Sequence, residues 1–130
     1  MLALLLIIGN TAGLWEKWFG ITFHNQYLLF DNKWGSDRGF TWKAAAGMFA
    51  EMTPLRKLFG AGPDCFKAYS YSIPEYADLL YQYWKPNILT NAHNEFLNLL
   101  ICIGIVGLFA FLAMLGMGVW RFFKAWEKIS

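Results

Sequence analysis

The sequence predicts an all-α membrane protein in which transmembrane helices flank a large external loop carrying short amphipathic helices. Three observations lead there. The 130 residues are 57% hydrophobic and 19% aromatic, far richer in apolar mass than an average soluble domain. No residue from Phe96 to Trp120 is charged, a run that exceeds the roughly 20 residues needed to cross a hydrocarbon core of about 30 Å. The stretch between the two apolar ends repeats bulky residues at helical spacing, without the Gly/Ser or charge runs of a flexible tether.

Residues 1–15 open with the apolar run Leu2 to Ile8 and soften into Gly-Asn-Thr-Ala-Gly. The run is short for a complete span and lacks the basic start and cleavage site of a signal peptide, so it is expected to be a partial or short transmembrane segment. Residues 16–95 form the loop. Within it Trp42, Ala45, Ala46, Phe49 and Met52 share one helix face, with Ser36 or Asp37 available to cap its start and Pro54 near its end. A second helix is expected from Pro74 to Trp84, where proline suits the first turn and Tyr76, Leu79, Leu80 and Tyr83 make a stripe. Periodicity leaves open whether these helices lie flat at the headgroups or pack as a small external subdomain.

Between the two helices, Gly60, Gly62 and Pro63 force a turn whose backbone can approach another group closely. A structural turn is preferred to a phosphate loop, because neither a Walker lysine nor the third glycine of a dinucleotide fingerprint follows. Residues 96–120 are the transmembrane helix and 121–130 a basic tail, where Trp120, Arg121, Lys124, Trp126 and Lys128 make the flank expected on the cytoplasmic side.

The formal charge of +2 lies in that tail. Eight Lys and Arg balance eight Asp and Glu from Glu16 to Glu95, whereas Arg121, Lys124 and Lys128 face only Glu127. This orients the loop outward, and the want of a basic patch on the loop excludes nucleic acid as a partner. Arg56 and Lys57 are expected at the headgroup surface. Cys65 in the loop and Cys102 in the span differ in depth, match no metal framework, and are assigned no disulfide and no role.

The residues with chemical capacity cluster just before the span. Asn91 is the expected N-cap of the last helix, which places His93 in its first turn; a helix N-terminus disfavours a protonated imidazole, leaving a neutral base able to activate a hydroxyl. At about 100° per residue His93 shares a side with Leu97, Leu100, Gly104, Gly107, Phe111 and Gly118, and the glycines let another helix pack closely. The residues alone leave open a catalytic or a merely hydrogen-bonding histidine. Arg38, near the start of the Trp42 helix, has the guanidinium to face an anion, with a solvated arginine paired to Asp37 as the plainer alternative. His24 has no companions that suggest chemistry.

His93-Asn94, nine residues, then Gly104-Ile-Val-Gly107 resembles the His-Asn/Ser/Gln, nine-residue, Gly-x-x-Gly pattern of the O-antigen ligase and polymerase superfamily of bacterial membrane proteins. Upstream, Arg38-Gly-Phe-Thr-Trp42 and Gly60-Ala-Gly-Pro-Asp-Cys-Phe66 are similar to segments of that family's external loop, so the resemblance covers about Ser36 to Leu112. It implies a multi-pass protein of the bacterial cytoplasmic membrane, with the large loop outside. The donor would be a glycan on undecaprenyl diphosphate, and the acceptor a hydroxyl of a glycan or lipid. Arg38 would hold the diphosphate and His93 would act as general base, with Asn94, Gly60 and Gly62 beside the substrate. No cofactor and no metal are implied. Members are larger polytopic proteins, so this chain is expected to be the C-terminal part of one, starting at an internal Met1 and inactive without its partner helices. The competing expectation is a non-catalytic membrane protein that packs with partner helices through Gly104 and Gly107.

Overall fold

A computed structural model describes residues 2–23, 25 and 27–127 of the chain. His24 and Lys128 lie outside the described residues. All regular structure among them is helical: α1 (Leu2–Thr11), α2 (Leu14–Phe19), α3 (Trp34–Glu51), α4 (Pro54–Phe59), α5 (Phe66–Ser72), α6 (Pro74–Trp84) and α7 (Glu95–Trp126).

α7 is the one described helix long and apolar enough to cross a membrane. Only 17% of its most apolar stretch is buried within the chain, which sets it apart from the core helix of a soluble protein. Phe109, Met114, Trp120 and Phe122 are all more than half exposed. Arg121 and Lys124 continue the same helix beyond Trp120. α1 has 10 residues, about 15 Å of helix and half a hydrocarbon core. It ends in a tight turn where Gly13 takes a left-handed conformation. Asn10 and Thr11 then hold the following loop: the Asn10 amide donates to Phe23 O and Leu28 O, and Thr11 Oγ1 accepts from Phe30 N.

The helices of the central loop pack on one another instead of lying separately at a surface. α3 and α6 run antiparallel and are joined at both ends. Tyr83 stacks on Phe40 with ring centroids 3.7 Å apart and donates to the Asp37 carboxylate at 2.7 Å. At the other end Tyr76 donates to Glu51 at 3.0 Å, over Gly47, where a Cβ would strike the phenol oxygen. Leu80 is fully buried in the same core as Ala45, Met48, Phe66, Leu89, Ala92 and Ile101. α6 spans Pro74–Trp84, with proline in the first turn as the sequence predicts. Leu79, expected on its apolar stripe, is 46% exposed.

The start of α3 departs from expectation. Gly35, Ser36 and Asp37 all have positive φ, and neither Ser36 nor Asp37 caps the helix. Asp37 is drawn to Tyr83, and regular helix begins at Arg38. The buried face is also rotated from the predicted stripe: Thr41, Ala44, Ala45 and Met48 are buried, whereas Ala46 is exposed. Pro54 does more than end α3. Thr53 accepts from Arg56 N, and Pro54 takes the first turn of a helix the apolar pattern does not reveal, α4.

α4 and the turn after it dock against α7 at a break in that helix. Gly104 has φ 69 and ψ −171, and Gly60 has φ 78 and ψ −176, a region open essentially to glycine alone. The break leaves Ile101 O and Cys102 O without helical donors, and Ala61 N and Gly62 N supply them at 2.9 Å each. Protein donors thus replace the hydrogen bonds that the irregular backbone loses, as buried backbone requires. Each glycine is fitted to the other: a Cβ on Gly104 would meet Leu58 O and Gly60 N at 2.4–2.5 Å, and one on Gly60 would meet Cys102 O at 2.2 Å.

Candidate functional site

The polar residues ahead of α7 make a turn and a cap in an order the sequence did not reveal. Asn94, not Asn91, is the N-cap, and its side chain accepts from Leu97 N at 3.2 Å. Asn91 instead accepts from His93 N at 2.9 Å, the local turn that asparagine side chains favour. His93 therefore precedes the helix. Its φ is 49, so the helix N-terminal effect expected of a first-turn position does not apply to it, and His93 is outside the helical phase of Gly104. The phase would not have survived in any case, because the helix breaks at Gly104.

The displaced histidine lines an open cleft of about 350 Å³ together with Asp64, Asn91, Asn94, Glu95 and Asn98. Two of these, His93 and Asp64, are non-glycine residues at positive φ, the latter at 52. Such backbone costs on the order of 1–3 kcal/mol per residue and concentrates at functional sites. Asp64 is placed by the docked turn, since Gly62 is fixed to Cys102 and the chain then turns back into α5. Asn98 Oδ1, from the cleft lining, and Trp84 Nε1 are buried with no hydrogen-bond partner among the described residues, and the Trp84 ring lies 6.1 Å from that of His93. Asp64, Glu95 and Asn98 were missed as site residues. The signal for Asp64 was its place in the Gly60–Phe66 segment, but its approach to His93 depends on the contact between turn and helix.

Arg38 is not among the residues lining that cleft. It is exposed, and its guanidinium meets no acceptor among the described residues. Asp37, its expected partner, accepts from Tyr83 instead. Burial, and then this hydrogen bond, pushes the Tyr83 phenol up to about 12. One turn beyond Arg38 stands Trp42, whose indole donates to His93 O at 3.4 Å. The same indole closes one side of an apolar groove of about 440 Å³ lined by Ile7, Ile8, Thr11, Ala12, Phe30 and Trp34. Trp42 thus stands between an apolar groove and the polar cleft, with Arg38 on its helix.

Gly60 and Gly62 do not offer free donors. Gly60 N donates to Arg56 O at 2.7 Å and Gly62 N to Cys102 O, so the close approach they permit is to α7. Gly104 is likewise occupied by Leu58 and Gly60 of the same chain, and the space at Gly107 is taken by the Ile103 side chain.

The family model described as O-antigen ligase matches residues 1–112, through the loop and the first half of α7. No curated protein and no solved structure gives a significant match.

Proposed function

The chain belongs to the O-antigen ligase family, whose work is glycan transfer at a membrane, and from that premise we propose that, packed with partner helices as part of a larger enzyme, it transfers a glycan from undecaprenyl diphosphate to an acceptor hydroxyl at the outer face of the bacterial cytoplasmic membrane. The observation that carries the reading is Trp42, shared between the apolar groove and His93. The groove suits the polyprenyl end of a donor. The cleft, with two carboxylates and three asparagines and no cation, suits a sugar bearing hydroxyls better than a diphosphate.

In this reading the acceptor hydroxyl lies in the polar cleft and gives its proton to the His93 imidazole as its oxygen attacks the anomeric carbon. The bond from that carbon to the diphosphate breaks, and the Arg38 guanidinium takes up the departing charge through paired hydrogen bonds. Asn94 orients the acceptor while capping α7. Gly60 and Gly62 act indirectly, by holding Asp64 in the cleft wall. The apolar surface of α7 beyond the break faces lipid and partner helices.

The test is glycan transfer in cells lacking their own activity and supplied with the protein carrying His93→Ala or Arg38→Ala. Each substitution is expected to lower transfer by roughly 100-fold or more at undiminished protein level. Wild-type transfer by both would overturn the reading.

A further inference from the structure

The contact between turn and helix brings together the two cysteines that the sequence separates by 37 positions. Gly62 stands between them. Its N–H donates to Cys102 O, and a Cβ placed on it would lie 3.8 Å from Cys65 Cβ. Cys102 is buried at 3% exposure and Cys65 is half-buried, both thiols are free, and Cys65 packs against the core that contains Cys102. Cys102 acts on the Cys65 thiol as a close neighbour. The expectation that they differ too much in depth is thereby corrected: the turn descends to the break in α7, which levels the two residues.

We propose that Cys65 and Cys102 form a disulfide that latches the Gly60–Gly62 turn to the break at Gly104. The inference rests on the proposed placement of the loop at the outer face, where an oxidising compartment sustains such bonds. The step is an exchange with a disulfide of that compartment, either a small molecule or an oxidising protein. The more accessible Cys65 loses its proton and attacks one sulfur of that disulfide, expelling the first thiol. Cys102 then loses its proton and displaces the second thiol from the mixed disulfide, leaving the Cys65–Cys102 bond and two reduced thiols outside. Bond formation brings the two sulfurs to about 2 Å. Burial, and then the neighbouring Cys102, pushes the Cys65 thiol up to about 11, so the exchange accelerates toward alkaline pH. The bond covalently fixes the residue next to Asp64, and with it one wall of the His93 cleft.

The test reads thiol state in the whole chain in bacterial membranes, with cells quenched in acid, denatured, and labelled with a polymer-bearing maleimide before or after reduction. The expected result is no added polymer before reduction and two units after it, with the Cys65→Ser and Cys102→Ser variants each adding one unit without reduction. Two units on the unreduced wild type would overturn the proposal. A companion arm places Ser36→Cys in the Cys65→Ser/Cys102→Ser background and labels spheroplasts with a membrane-impermeant maleimide. Labelling there together with free native thiols removes the disulfide alone. Absence of labelling removes the outer placement and the disulfide with it, while glycan transfer by the His93 and Arg38 variants is judged separately.

Discussion

α7 is one helix in two settings. Before Gly104, Ile101 and Cys102 are buried against α3, α4 and α5; after it, from Val106 to Trp126, nearly every side chain is exposed and apolar. The glycines record the difference. Gly104 is enclosed by backbone within 2.5 Å, whereas Gly116 and Gly118 have nothing within 4 Å of where a Cβ would stand. The same residue type is a structural requirement in one half and an unconstrained position in the other. The lesson is that a glycine in an apolar helix signals close packing only when something on another segment is shaped to meet it.

The sharpest way to break this comparison is Gly104→Ala. The new methyl meets Leu58 O and Gly60 N, and the backbone conformation is barred to alanine. A loss of more than about 3 kcal/mol is expected, read as a collapse of the thermal midpoint in mild detergent. Gly60→Ala should cost nearly as much, through Cys102 O and its own positive φ. Because both changes destroy one contact, the double variant should lose clearly less than the sum of the two, and additivity would show that the glycines act independently.

A smaller effect belongs to the packed half, at the two tyrosines joining α3 and α6. Tyr83→Phe keeps the stack on Phe40 but loses the bond to Asp37, for an expected loss of roughly 1 kcal/mol. The pH dependence has a defined direction. Burial and then the bond to Glu51 raise Tyr76 to about 12, and Tyr83 is raised to about 12 from an ordinary 10.0. Because these phenols hold their protons more firmly in the folded chain, their contribution is full below pH 10.0 and is lost as pH rises toward about 12. The thermal midpoint of the wild type should therefore fall more steeply across that window than that of the Tyr76→Phe/Tyr83→Phe variant. Least of all, Gly116→Ala and Gly118→Ala should change stability by no more than about 0.5 kcal/mol, since each adds helix propensity in open space. A large loss at either would mean that the exposed half has a partner pressed close against it.

What was legible in the sequence was local. Pro74 at a first turn and an apolar stripe were enough to bound α6, and an uncharged run was enough to find the span. Asn91 and Asn94 are equal candidates for a cap on residue type, and only the path of the chain into α7 separates them. Gly104 reads as a packing position in any apolar helix. Its break is intelligible only with Gly60, which is 44 positions away and shares its glycine-only backbone. Cys65, Asp64 and His93 converge for the same reason, because one long-range contact carries the turn to the helix. The family motifs marked these segments without saying how they meet.

The break also acts as a ruler. From Ile105 to Trp120 α7 has 16 uncharged residues, about 24 Å of helix, most of a hydrocarbon core of about 30 Å. The nine residues from Glu95 to Ile103 add about 14 Å on the other side of Gly104. That segment is a stand of fixed height between the break and the residues that precede it, His93 and its neighbour Asn94, the cap of α7. In the proposed reaction the height of His93 above the break would then be set by a length of helix and not by either substrate.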